Sequence, residues 1–258
     1  MPGPEDDLSL LINAAERAGD IAGQYFQRNP QIWDKGAEGP VTEADIAIDT
    51  MLRETLLGAR PDYGWLSEET EDDPRRLSAE TVFICDPIDG TRAFIDGQRS
   101  FAHSLSVVHR GQVTAGVVFL PMRGKLYAAT RGHGATLNGQ STRVTEASTP
   151  EQATFLTTKA NLTPEHWPRG VPDIGRAYRP SLAYRMSLVG EGRFDGMMTF
   201  RPTWEWDIAA GALIIEEAGG LATDSRGAPL RFNGQSAQVD GVLAGAPDVH
   251  RALVAQRA

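Results

Sequence analysis

Apolar positions recur at helical spacing over residues 6–29, where Leu8, Leu11, Ala15, Ala18, Ala22 and Tyr25 follow the acidic pair Asp6-Asp7. A stripe of that period behind an acidic start predicts an amphipathic helix. The stretch 32–40, "IWDKGAEGP", breaks the pattern with glycines and a proline and predicts a mobile loop. A second helix is predicted over 41–61. It opens on Thr42-x-x-Asp45, a capping-box arrangement, and closes at Gly58 and Pro61.

The pattern then shortens to strand lengths. "YGWLSEET" (63–70) predicts a short strand running into acids, and "TVFIC" (81–85) a β-branched, aromatic strand. Residues 101–130 read as a meander that turns at Arg110-Gly111 and ends in "KLYAAT". The glycine-rich stretch 131–139 matches neither a dinucleotide fingerprint nor a P-loop, so no phosphate-binding role is assigned to it. Residues 141–150 are polar and turn-rich, which places a boundary between an N-terminal α+β domain (1–145) and a C-terminal α/β domain (146–258). Beyond it, strands near 153–158 and 195–200 alternate with helices near 181–190, 206–218 and 248–256, a pattern that predicts α/β layers.

A chain of 258 residues, 41% hydrophobic and 23% charged, has room for one large domain or two modest ones. The formal net charge of −9 argues against a nucleic-acid partner, which calls for a basic stripe. It leaves room for an anionic small substrate, since clustered carboxylates that hold cations invert the local field. The single cysteine, Cys85, excludes an intramolecular disulfide and a multi-cysteine zinc site. No apolar stretch approaches the roughly 20 residues of a membrane helix, and "MPGPEDDLSL" has no apolar signal core. The chain therefore reads as a soluble cytoplasmic protein without a membrane partner.

Acids gather where elements end. Glu68-Glu69 follow the first strand, Asp86 and Asp89 follow "TVFIC", Asp207 opens the helix "WDIAAGALIIEEAGG", and Asp45 sits in the first turn of the second helix. If the strands are neighbours, these carboxylates converge on one sheet edge, where α/β proteins place ligands. Hard divalent cations such as Mg²⁺ take such oxygens together with phosphate oxygens. The Asp89-Gly90-Thr91 turn offers backbone N–H groups to an anion and a hydroxyl to a water. Taken singly, each acid has a plainer explanation. Asp207 complements a helix dipole, Asp45 completes a cap, and Glu68-Glu69 belong to a solvated turn. Five scattered histidines without an HExxH spacing, and no G-x-S-x-G elbow, weigh against zinc and serine hydrolases.

Taken together, "VTEAD" (41–45), "SEET" (67–70), "DPIDGT" (86–91) and "WDIAAGALIIEEAGG" (206–220) resemble the inositol monophosphatase superfamily of Mg²⁺-dependent, lithium-sensitive phosphatases. The looser meander "GVVFLP…YAAT…GHGATLNG" agrees, so the resemblance spans most of the chain in the family's order. It implies a layered α-β-α-β-α sandwich, two to three Mg²⁺ ions and a small phosphate ester as substrate, in a monomer or homodimer. It further implies that Glu68, Asp86 and the Ile88 carbonyl hold one ion and Asp86, Asp89 and Asp207 a second. A third ion leans on Glu68. Asp45 and Thr91 resemble the pair that activates the attacking water, Glu69 the adjacent acid, and Lys35 the lysine of the family's mobile loop. Gly90 and Thr91 would donate N–H groups to a phosphate attacked in line, with no covalent phosphoenzyme. An inactive relative would lack one of these groups, and the chain keeps them all.

For the ester itself, Arg92-Ala93 stands where inositol-type members carry threonine and asparagine, and "SLAYRMSLVGEG" and "RPTWEWD" resemble the bisphosphate nucleotidases. Phe200 stands seven residues before Asp207, where the inositol branch has a Glu for sugar hydroxyls. These features imply adenosine 3′,5′-bisphosphate as substrate, with Arg185, and Arg92 behind it, on the second phosphate. Tyr184 is read either as a base-stacking ring or as a core aromatic. Inositol 1-phosphate, histidinol phosphate and sugar phosphates are the alternative esters.

Overall fold

The structure, a computed structural model, describes residues 3–36 and 39–257. Helix α1 spans Pro4–Tyr25 and buries Leu11, Ala14, Ala15, Ala18 and Ala22. The predicted loop 32–40 contains a two-stranded antiparallel ribbon, β1 (Ile32–Asp34) with β2 (Pro40–Thr42). Residues 37 and 38 of that loop, on which its predicted mobility bears, lie outside the described residues. Helix α2 (Glu43–Ala59) starts as the capping box foretells: the Thr42 hydroxyl accepts from the Asp45 N–H, and the Asp45 carboxylate accepts from the Thr42 N–H at 2.9 Å.

A seven-stranded sheet follows, in the order β3 (Gly64–Ser67), β4 (Thr81–Asp89), β5 (Ala102–His109), β6 (Gln112–Leu120), β7 (Lys125–Thr130), β8 (Ala135–Leu137) and β9 (Gln140–Ser141). Only β3 and β4 run parallel, and the short helix α3 (Thr91–Ile95) joins β4 to β5. The second sheet is five-stranded. It comprises β10 (Thr154–Leu156), β11 (Gly175–Ala177), β12 (Gly196–Thr199), β14 (Leu221–Thr223) and β16 (Val242–Gly245), ordered β11-β10-β12-β16-β14. A small ribbon pairs β13 (Thr203–Trp204) with β15 (Gln238–Val239). The helices of this half are α4 (Leu182–Gly190), α5 (Glu205–Glu217) and α6 (Pro247–Arg257).

Alternation along the strands sorts the core. Phe83, Cys85, Leu105 and Val117 face α1 and α2, whereas Val82, Ile84, Val108 and Val118 face α4 and α5. Phe155, Met198 and Leu243 of the second sheet pack on α6 through Val249 and Leu253. The result is the expected α-β-α-β-α sandwich. Helix α5 lies between two sheets, which is why "IAAGALII" is apolar on every side. Its close seat on the first sheet needs Gly116, where an added Cβ would stand 3.0 Å from the Ala210 Cα. No helix among the described residues is long and apolar enough to cross a membrane.

Candidate active site

Because β3 and β4 are parallel, both leave the sheet at the same end, and Ser67 lies beside Cys85. Glu68 and Glu69 therefore emerge next to Asp86. Strand β4 is buried along its whole length and carries an irregularity: it advances from Asp86 to Asp89 while β5 advances only from Ser104 to Ala102. The extra residue bends the strand and re-aims Asp86 and Asp89. Asp207 arrives on the first turn of α5, fixed to β5 by the Ser104 hydroxyl, which donates to the Trp206 carbonyl at 2.8 Å. Carboxylate oxygens of Asp86, Asp89 and Asp207 lie within 4.8 Å of one another.

Asp86 and Asp89 are buried, and Asp207 is partly open to the recess. Neither oxygen of Asp86 meets a hydrogen-bond donor among the described residues. Burial, and then the charges of Glu68, Asp89, Asp207 and Asp45, push the Asp86 carboxyl well above the usual range. Burial and Asp89 raise Asp207 in the same way. Glu68 is pushed up to about 8 by burial and by Glu69, against the pull of Lys35. Buried acids without donors are costly unless a cation joins them, and oxygen-only donors at this spacing suit a hard divalent ion. The residues fit that group.

Around the cluster, Asp45 accepts from Thr42 Oγ1 at 2.5 Å and from Thr91 Oγ1 at 3.2 Å. The Thr91 hydroxyl also lies 3.1 Å from the Ile88 carbonyl. Gly90 caps α3 with φ of 101°, a left-handed conformation that glycine adopts without strain. Asp89 accepts from the Ser181 hydroxyl at 2.7 Å and the Ala183 N–H at 2.6 Å, which ties the first sheet to the start of α4. Lys35 donates to Glu69 at 2.8 Å and lies 3.8 Å from Glu68. All the sequence-predicted acids, with Thr91 and Lys35, thus come together.

The predicted substrate residues divide. Arg185 is buried rather than solvent-facing; its Nε donates to the Arg179 carbonyl, its guanidinium lies 4.5 Å from the Tyr178 ring, and with Arg92 and Arg201 it lines a hollow of about 370 Å³ that shares Glu68, Asp89 and Asp207 with the main recess. Tyr184 is a core aromatic, 3% exposed, with the Arg123 guanidinium 5.5 Å from its ring, and it does not line the recess. Phe200 packs on His166 and Trp167 under the Arg257 guanidinium, away from the recess, because the chain places its neighbour Arg201 there instead. Sequence reasoning missed Arg201, Trp204 and Gln238, which line a recess of about 560 Å³ with the acids. It also missed Asp49, which accepts from Ser67 and Thr70 at 2.5 Å each and so pins the turn bearing Glu68 and Glu69. The i, i+4 spacing of Asp45 and Asp49 on one helix face was the available signal. In a larger hollow of about 640 Å³, near Thr142 and Glu217, the Glu217 carboxylate accepts from the N–H groups of Gly132 and Gly134.

The profile of the inositol monophosphatase family matches residues 4–258. The chain belongs to the inositol monophosphatase family. This family is metal-dependent, so the chain is a phosphatase whose acidic cluster is of the kind that binds metal. Among relatives of the family, the inositol-1-monophosphatase of Rhizobium meliloti is 32% identical over 256 residues, covering 95% of this chain and 94% of that protein. The histidinol-phosphatase of Chlorobaculum parvum is also 32% identical, over 89% of this chain and 90% of its own. The solved inositol monophosphatase II of Staphylococcus aureus, with inositol monophosphate or with 2′AMP bound, superposes with a TM-score of 0.83 at 26% identity, covering 96% of this chain and 92% of that one.

Proposed function

We propose that this chain is a Mg²⁺-dependent phosphomonoesterase for a small ester that carries a second anionic group, with adenosine 3′,5′-bisphosphate as the best fit. One observation carries the reading: Arg92, Arg185 and Arg201 border the carboxylate recess in a chain of net charge −9. Guanidinium groups bind phosphate through forked, charge-assisted hydrogen bonds. The same cations oppose histidinol phosphate, whose amine is positive, and they offer no acceptors to the hydroxyls of inositol. That a related phosphatase is known with 2′AMP bound supports a nucleotide in such a pocket.

In this reading Glu68, Asp86, the Ile88 carbonyl, Asp89 and Asp207 hold the cations. When bound, these ions polarise the phosphoryl oxygens and lower the pKa of water. Thr91 Oγ1 orients the attacking water, and Asp45, at 3.2 Å from that hydroxyl, receives its proton. The backbone N–H groups of Gly90 and Thr91 hold the phosphate. Glu69, engaged by Lys35, closes the site on the β1–β2 side. The test is Arg185→Ala. It should reduce kcat/KM for adenosine 3′,5′-bisphosphate roughly 10- to 100-fold, and for adenosine 3′-monophosphate far less. Equal loss on both esters would contradict the assignment.

A further inference from the structure

The indoles of Trp204 and Trp206 lie parallel, with ring centroids 4.6 Å apart and planes 10° from each other. Trp206 is 9% exposed, while Trp204 is half-buried, and both border the recess that holds Asp86, Asp89 and Asp207. Trp204 pairs across the β13–β15 ribbon with Gln238, and Gln238 and Arg201 border the same recess. Beside the carboxylates there is therefore an indole backed by a second indole, with an amide and a guanidinium at its margin.

A flat indole gives a polyol only C–H contacts on its ring face and no partner for its hydroxyls. It offers a stacking face to a planar heteroaromatic ring, which is sequence-tolerant because every base has a π-face. The backing ring keeps that face from tilting, and the Trp206 backbone is itself pinned by the Ser104 hydroxyl at 2.8 Å. The Gln238 amide both donates and accepts, which matches the edge of a ring bearing nitrogens. Tyr184, the aromatic that the sequence offers for this task, is buried in the core.

We infer that Trp204 is the floor of a subsite for a planar heteroaromatic group on the ester, a purine-type base. This rests on the phosphatase reading above and narrows its substrate class. The test uses the intact protein with Mg²⁺ and compares adenosine 3′-monophosphate with glycerol 2-phosphate. Trp204→Ala should lower the ratio of their kcat/KM values at least about tenfold, and Trp204→Phe should keep it within about threefold. Equal losses on both esters overturn the subsite.

A second measurement needs no variant. Adenosine should inhibit glycerol 2-phosphate hydrolysis competitively where ribose does not, and absence of that difference overturns the subsite. Failure of the parent reading looks different. A wild-type protein that prefers the monophosphate to the bisphosphate, yet is inhibited by adenosine, refutes the second-anion assignment and upholds the stacking floor. If neither ester releases phosphate, calorimetry with adenosine decides: binding that Trp204→Ala abolishes upholds the subsite, and no binding overturns it.

Discussion

The carbonyl of Pro87 receives the Nδ1–H of His103 at 2.5 Å. A carbonyl oxygen only accepts, so Nδ1 carries the proton. Burial depresses the His103 pKa to about 4 and keeps the ring neutral under working conditions. The contact lies under the irregularity between Asp86 and Asp89, where the strand ladder is interrupted and Pro87 has no N–H to offer. His103 thus holds the bend that aims both carboxylates. His103→Ala should weaken divalent-cation binding about 10- to 100-fold in calorimetry, and His103→Asn, which keeps a donor, should recover part of it. Unchanged affinity in both variants would make the contact a matter of packing alone.

The Thr91–Asp45 pair gives a kinetic prediction. Asp45→Asn should lower kcat by about 10²-fold or more while KM moves little, because the lost group handles a proton rather than the ground-state ester. Thr91→Ser keeps the hydroxyl and should retain most activity, whereas Thr91→Val should behave like the Asp45 variant. Steady-state kinetics on one ester decides this.

Metal binding should couple to pH in a fixed direction. A carboxyl whose pKa is raised by folding holds more protons in the native state than in the unfolded state, so its contribution to stability falls as pH rises. For Glu68 that fall runs from the ordinary 4.5 up to about 8, and Asp86 and Asp207 act in the same sense. Divalent cations compete with those protons. The metal-free protein should melt at a lower temperature at pH 8 than at pH 6, and the increase in Tm on adding Mg²⁺ should be larger at pH 8. A Mg²⁺ increment that shrinks with rising pH would contradict the account.

Gly90 gives a backbone prediction. Its φ of 101° lies in left-handed territory, and an added Cβ would stand 3.4 Å from the Ser181 Cβ. Gly90→Ala should cost about 1–2 kcal/mol in denaturant unfolding and should disturb the Ser181–Asp89 hydrogen bond.

Much of this was legible from the sequence because the ligating acids sit at the ends of strongly patterned elements. "TVFIC" and "WDIAAGALII" name their own secondary structure, and the parallel pairing of β3 and β4 then brings Glu68 to Asp86. The recess walls were not legible. Trp204 and Gln238 meet through a ribbon whose paired segments are two residues each, too short for any period to show, and Arg201 enters the recess from the turn just before it. The same limit hid the β1–β2 ribbon and the three-residue strands β11 and β14 of the second sheet, although β10 falls within the predicted strand near 153–158. Phe200 and Tyr184 illustrate the opposite difficulty. Motif position put Phe200 at the substrate and left Tyr184 open between a base-stacking ring and a core aromatic; which face of a strand or helix meets the core is settled by packing, and both turned into it.

The most direct test of the central claim is phosphate release by the purified protein with Mg²⁺. Adenosine 3′,5′-bisphosphate, inositol 1-phosphate and histidinol phosphate would be compared side by side, with Asp86→Asn as the blank. The account predicts that the bisphosphate is the preferred ester and that the variant, though folded, is inactive on all three. Preference for inositol 1-phosphate or histidinol phosphate would contradict the arginine-lined pocket, and near-normal turnover by Asp86→Asn would contradict the metal cluster itself.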